Sequence, residues 1–161
     1  MPDTTYAAKM TPEQKEAYHR EAEARIQTLH YDRPQTDKVK DVSWLMRTDK
    51  VVAVVQVVKD GGENNLHYHT NADQVYFVLS GAVRFYGVGD ALIAEAGPQQ
   101  GIFVPGGSRY WFEKAGAQDL EMLQLVFKSG PSERINIDSH KPWMEDEMLK
   151  VYEAPSAGPA Q

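Results

Sequence analysis

The chain contains no cysteine, so neither disulfides nor thiolate ligands are available, and any metal ion must sit on nitrogen and oxygen donors. No apolar run reaches transmembrane length, and the first residues, MPDTTYAAKMTPEQ, lack a signal-peptide core. A cytoplasmic location is the expectation. Positive charge is in deficit: 17 Lys and Arg against 23 Asp and Glu leave a formal net charge of -6. Such a chain does not hold nucleic acid or an anionic membrane by bulk electrostatics. There is also no GxSxG elbow and no P-loop, and no third glycine or helical pattern follows Gly87-x-Gly89. Covalent serine or cysteine chemistry and nucleotide binding therefore have no sequence basis.

What is present centres on Gly62 to Gly81, GENNLHYHTNADQVYFVLSG. His67 and His69 are separated by one residue at the start of a strand-like run, and alternate residues of a strand face the same side. Both imidazoles then point together while Tyr68 faces away. After the polar turn Thr70-Asn71-Ala72-Asp73, a second run puts Gln74, Tyr76 and Val78 on one face, from which Gln74 could reach the same ion. Two histidines on an exposed strand are the plain alternative.

The pattern His67-x-His69, then Gln74, then Gly81 resembles the first motif of the cupin family, and Pro105-x-Gly107-x-x-Tyr110 resembles the second. Gln74 stands where that family has glutamate, Tyr110 where it has a third histidine, and Gln99-Gln100 where it has a Gly-Asp pair. The resemblance implies an all-β fold, an antiparallel jelly-roll or cupin barrel, here with an N-terminal helix and a short C-terminal helix. It also implies a homodimer, a small-molecule substrate, and a divalent metal ion held by His67, His69, Gln74 and Tyr110. Imidazole and oxygen donors suit Fe2+, the first expectation, as well as Mn2+, Ni2+, Co2+ or Zn2+.

The two departures shape the chemistry. A glutamine carbonyl donates an oxygen without cancelling any of the ion's charge, so the metal becomes a stronger Lewis acid and attracts an anionic, chelating substrate. The competing reading is a weakened site that no longer holds metal. Tyr110 would ionise near neutrality only beside a cation; unbound, it could act as general acid or base, or simply line the barrel. Three functions follow: a dioxygenase acting on a small oxygenated substrate through His67, His69 and Gln74, a redox-neutral lyase or isomerase with Tyr110 moving the proton, and a non-catalytic small-molecule binder. Oxygen consumption separates the first two. Fold membership does not choose among them.

At 161 residues the chain has room for one domain. We divide it into an arm and helix over 1–34, the barrel over 35–138, and a helical extension with a disordered tail over 139–161. Thr11-Pro12-Glu13-Gln14 reads as a helix start with a capping box. The helix is expected to reach about Leu29, with Tyr18, Ala22, Ile26 and Leu29 forming an apolar stripe that packs on something. Strands are expected at Val42 to Met46 and Val51 to Val58, the second apolar on both faces. More follow at Val83 to Tyr86, Ala91 to Ala94, Ile102 to Val104, Tyr110 to Phe112, Leu120 to Phe127 and Ile135 to Ile137. Pro142 to Tyr152 reads as a short helix.

Other candidates carry less weight. Tyr76 and Phe112 read as pocket walls and Trp111 as an outward packing residue. Arg47, Arg84 and Arg109 could each meet a substrate carboxylate, although alternation puts Arg109 opposite Tyr110. Asp73 and Glu113 are expected acceptors for the imidazole N–H groups. His140 could close over the site as a further nitrogen donor, while His19 and His30 read as surface residues.

Overall fold

The computed structural model describes residues 9–137 and 149–153. The chain divides into two compact units, one holding the helix and the other running His30–Ala154. The helix, α1, spans Pro12–Glu23 and begins as expected: the Thr11 side chain accepts from the Gln14 N–H, and the Gln14 side chain accepts from the Thr11 N–H. It ends earlier than expected, at a C-cap on Ala24, and none of its residues is buried. The stripe fails for a geometric reason: Ile26 and Leu29 lie past the last turn, and both are exposed, as is Tyr18.

The larger unit is built of strands, in chain order β1 (Lys40–Arg47), β2 (Val51–Val58), β3 (His67–His69), β4 (Ala72–Ser80), β5 (Ala82–Tyr86), β6 (Leu92–Ala96), β7 (Gly101–Val104), β8 (Trp111–Ala115), β9 (Leu120–Lys128), β10 (Arg134–Asn136) and β11 (Leu149–Tyr152). They form a six-stranded sheet ordered β11-β1-β2-β9-β4-β7, a three-stranded sheet β6-β5-β8 and a two-stranded ribbon β10-β3. All pairings are antiparallel except β11, which runs parallel to β1. The expected C-terminal helix is thus corrected at its end, since Leu149–Tyr152 completes the sheet edge as a strand. The start of that expected helix and His140 lie outside the described residues.

The strands form where β-branched and aromatic residues alternate with polar ones, and their inner faces make one core. Val58, Tyr76, Val78, Val83, Phe85, Phe112, Leu120 and Met122 belong to it, all at most 2% exposed. Burying one such large apolar side chain contributes roughly 1.5–3 kcal/mol. β2 is buried on both faces, as its composition demands. Outward-facing Val57 is flanked in the ladder by Asp41 and Glu121, and the segment before β1 binds both: Thr36 donates to Asp41 and Tyr31 to Glu121.

Gly81 closes the β4–β5 turn with φ of 76°, and a Cβ there would stand 2.3 Å from the Asp119 carbonyl oxygen. Only glycine fits both the left-handed backbone and the close approach. β4 begins at Ala72, two residues into the stretch expected to be a turn, because Ala72 and Asp73 already pair with Lys128 and Phe127 of β9. Gly87 to Asp90 is the expected hairpin turn, with Val88–Asp90 as a single 3-10 turn between β5 and β6.

Candidate functional site

β3 is the hinge of the site. On one side it pairs with β10, placing Arg134 opposite His69, and on the other His67 forms an antiparallel bridge with Tyr110. Residues directly opposite each other in a ladder share a face. The bridge, carried by Tyr110 N–H to His67 O at 3.0 Å and its reciprocal at 3.1 Å, therefore turns Tyr110 toward the imidazoles. The ring centroids of His67 and Tyr110 lie 4.5 Å apart, and those of His67 and His69 5.1 Å apart.

Gln74 enters from β4, and two residues on, Tyr76 joins it from the same face. The Tyr76 and Tyr110 hydroxyl oxygens are 2.6 Å apart, and both phenols lie within donating distance of Gln74 Oε1, at 2.9 Å and 3.1 Å. Since each phenol has one proton, one donates to the other and the second donates to the glutamine. Gln124, opposite Tyr76 on β9, adds a second donor to Gln74 Oε1 at 2.5 Å. The four residues expected to converge, His67, His69, Gln74 and Tyr110, are brought to one end of the barrel, and Tyr76 is part of the cluster rather than only a wall. Phe112 lines the cavity as expected, and Trp111 faces out, stacked on Tyr86 at 4.4 Å between centroids.

Charge and burial set the protonation states. The His67 Nδ1–H donates to the Asn65 carbonyl at 2.7 Å, which leaves Nε2 as the acceptor. Burial and the Arg134 guanidinium hold His67 down to about 3 and His69 to about 4, so both are neutral imidazoles. Burial pushes Tyr110 up to about 12 and raises Tyr76 as well, so both are protonated phenols. Lys40 is lowered to about 8 by burial and by Arg134, and Arg134 to about 10 by burial.

His67, His69, Tyr76, Lys40 and Arg134 line a cavity of about 560 Å³, whereas Gln74 and Tyr110, each 1% exposed, stand behind that lining. Its described lining carries four cations, Lys40, Arg47, Lys128 and Arg134, against one carboxylate, Glu63. Arg47 stacks on Trp44 at 3.7 Å, and Lys40 lies 5.1 Å from the Phe112 ring centroid. Arg134 also donates to Asn65 Oδ1 at 2.6 Å, linking the cation to the loop that fixes His67.

Several expectations fail here. Asp73 accepts from the Gly106 N–H and Glu113 from the Tyr86 hydroxyl, so neither supports an imidazole; a backbone carbonyl does that work. Arg84 pairs with Glu95 outside the barrel. Of the three arginines singled out, only Arg47 lines the cavity. Sequence reading missed Lys40, Gln56, Gln124 and Arg134, which come from β1, β2, β9 and β10. The inward parity of Gln56 and Gln124, each polar within an apolar strand, was the available signal.

The residues fit a divalent metal ion in part. His67 and His69 are neutral nitrogen donors, with the His67 tautomer already set. Gln74 Oε1 already accepts from one phenol and from Gln124, which occupies both its lone pairs, and the Tyr110 hydroxyl belongs to the same network. Each would join an ion only by exchanging a hydrogen bond. Among the described residues, no group of three or more histidine, cysteine or carboxylate side chains is placed to hold a metal.

Residues 54–126 match the model of the Cupin domain family. The fold is similar to a Klebsiella pneumoniae protein with a double-stranded β-helix domain, at 17% identity and a TM-score of 0.55 over 66% of this chain and 92% of that one. It is also similar to DMSP lyase DddQ from Ruegeria pomeroyi, at 17% identity and a TM-score of 0.54 over 72% of this chain and 64% of that one. TT1209 from Thermus thermophilus aligns at 21% identity and a TM-score of 0.50, over 60% of this chain and 90% of that one. Identities this low establish shared architecture alone. No curated protein sequence matches. The match spans the strands from β2 to β9, and the all-β, jelly-roll-like fold agrees with it.

Proposed function

We propose that the protein binds a small oxygenated organic anion inside the barrel and acts on it by metal-assisted, redox-neutral proton transfer. The observation that supports this is the cavity's charge: Lys40, Arg47, Lys128 and Arg134 share it with two neutral imidazoles and one carboxylate. A ligand carboxylate adds a favourable charge contact to those cations, of which Lys40 is buried, whereas a cationic ligand meets their repulsion. His67 and His69 would hold the ion, with Gln74 as a third donor. When bound, it would supply Lewis acidity toward a ligand oxygen.

The chain's own residues do the remaining work. Arg134 and Lys40 receive and orient the anionic group. Tyr76, the phenol that lines the cavity and is held protonated, is the proton donor, and Tyr110 behind it lies close enough to return a proton to it. That phenol pair favours the lyase or isomerase reading over a dioxygenase, since it provides a proton path and nothing specific to dioxygen.

The test is equilibrium binding of small carboxylates, such as malonate, succinate and malate, to metal-free protein and to protein loaded with Mn2+ or Fe2+, with Lys40→Met and Arg134→Met in parallel. At least one probe binds the parent, and each variant loses roughly tenfold or more, the scale of one charge-assisted contact. Binding that ignores both substitutions sinks the proposal. Oxygen consumption with the loaded protein would move the reading to a dioxygenase, and binding without any turnover to a non-catalytic cupin.

A further inference from the structure

Beside the imidazole and tyrosine cluster, a chain of three amides runs across three adjacent strands, β4, β9 and β2. Gln124 Nε2 donates to Gln74 Oε1 at 2.5 Å and to the Tyr76 hydroxyl at 3.1 Å. Gln56 Nε2 in turn donates to Gln124 Oε1 at 2.5 Å. The direction of this chain is imposed from its inner end. One phenol proton goes to Gln74 Oε1 and the other to the partner phenol, and Gln124 presents its nitrogen to the same Gln74 oxygen. Gln124 then has only its oxygen for Gln56, and Gln56 has only its nitrogen for Gln124. The chain terminates in Gln56 Oε1, which is buried and accepts no hydrogen bond within the described protein.

Gln56 is 7% exposed and lines the cavity together with Gln124, Lys40 and Arg134. A buried acceptor left unsatisfied costs free energy, so its retention in a native fold calls for an explanation, and a bound molecule that completes it is one. Resting on the anion reading above, we infer that Gln56 is a specificity-determining residue that accepts a hydrogen bond from a hydroxyl of the bound anion. The ligand class is a hydroxy acid: its carboxylate meets the Lys40 and Arg134 cations, and its hydroxyl proton meets Gln56 Oε1. A plain carboxylate reaches the cations but leaves the amide acceptor unpaired, so the pocket selects against it.

The experiment compares matched pairs of carboxylates by calorimetry: 2-, 3- and 4-hydroxybutyrate against butyrate, and malate against succinate. In the parent protein one hydroxy acid of the panel binds about tenfold tighter than its deoxy partner, the worth of one hydrogen bond to a buried acceptor. In Gln56→Met, which keeps side-chain length but has no acceptor oxygen, the ratio falls to within about twofold, and a circular-dichroism spectrum matching the parent's reports an intact fold. Equal binding of both members of every pair to the parent overturns the inference while the anion reading stands. A preference that survives in Gln56→Met overturns it too, because another acceptor then reads the hydroxyl. Failure of every carboxylate to bind the parent overturns the anion reading, and this inference with it.

Discussion

Tyr76 lies on β4 and Tyr110 just before β8, bridged to His67, yet their hydroxyl oxygens lie 2.6 Å apart, both within reach of Gln74 Oε1. The pair is buried and protonated, so its hydrogen bonds are made in a medium where leaving one unmade is costly.

Phenylalanine at either position removes one of these bonds. Tyr110→Phe and Tyr76→Phe are each expected to lower stability by about 1–2 kcal/mol, and the double variant by less than the sum of the two. Urea denaturation of all four proteins measures this. Strict additivity would show that the two hydroxyls do not depend on each other.

The imidazoles make acid the vulnerable direction. His67 and His69 are held neutral, at about 3 and 4, whereas in the unfolded chain they ionise near the ordinary value of 6.5. Between those limits the unfolded state binds more protons, so stability rises with pH across the window and is lost as pH falls below 6.5. The urea midpoint at pH 5 is expected below that at pH 7. A midpoint that holds or increases at pH 5 contradicts neutral buried imidazoles.

Lys40 acts at the other end of the scale. Its ammonium is lowered from 10.5 to about 8, so folding excludes a proton that the unfolded chain keeps between those values. The desolvation penalty on Lys40 is present below pH 8 and is relieved as pH rises toward 10.5, giving a stability contribution that increases over that window. Carboxylate affinity runs the opposite way, falling as pH rises through 8, and Lys40→Met abolishes that fall. Titration calorimetry at pH 7 and 9 on both proteins resolves it.

Gln74→Glu adds a full negative charge where a phenol and the Gln124 amide already donate and where Arg134 supplies nearby positive charge. Tighter metal retention is expected, read as metal content of untagged protein after dialysis, with His67→Ala/His69→Ala retaining none. Identical metal content in parent and Gln74→Glu would show that position 74 is not a metal donor.

How much of this was legible in the chain depends on range. Strand alternation is a two-residue property, so the shared face of His67 and His69, and that of Gln74 and Tyr76, followed from order alone. The capping box at Thr11 and the glycine at the β4–β5 turn are equally local, because one side chain or one φ angle decides each. The end of α1 was less legible, since an apolar stripe continues in the sequence after the last turn has closed.

The amino-acid order by itself determined which faces are apolar, where the chain turns, and that two imidazoles point together. Only the tertiary structure decided what meets them. Arg134 reaches His69 because β10 pairs with β3 in one register, and Gln124 reaches Gln74 because β9 lies beside β4. A slip of one residue in either ladder would turn those side chains to the opposite face, and no local pattern specifies which strand is the neighbour. The cavity's positive charge is likewise a property of assembly: the chain is acidic overall, and its cations gather inside the barrel only once β1, β9 and β10 are brought around β3.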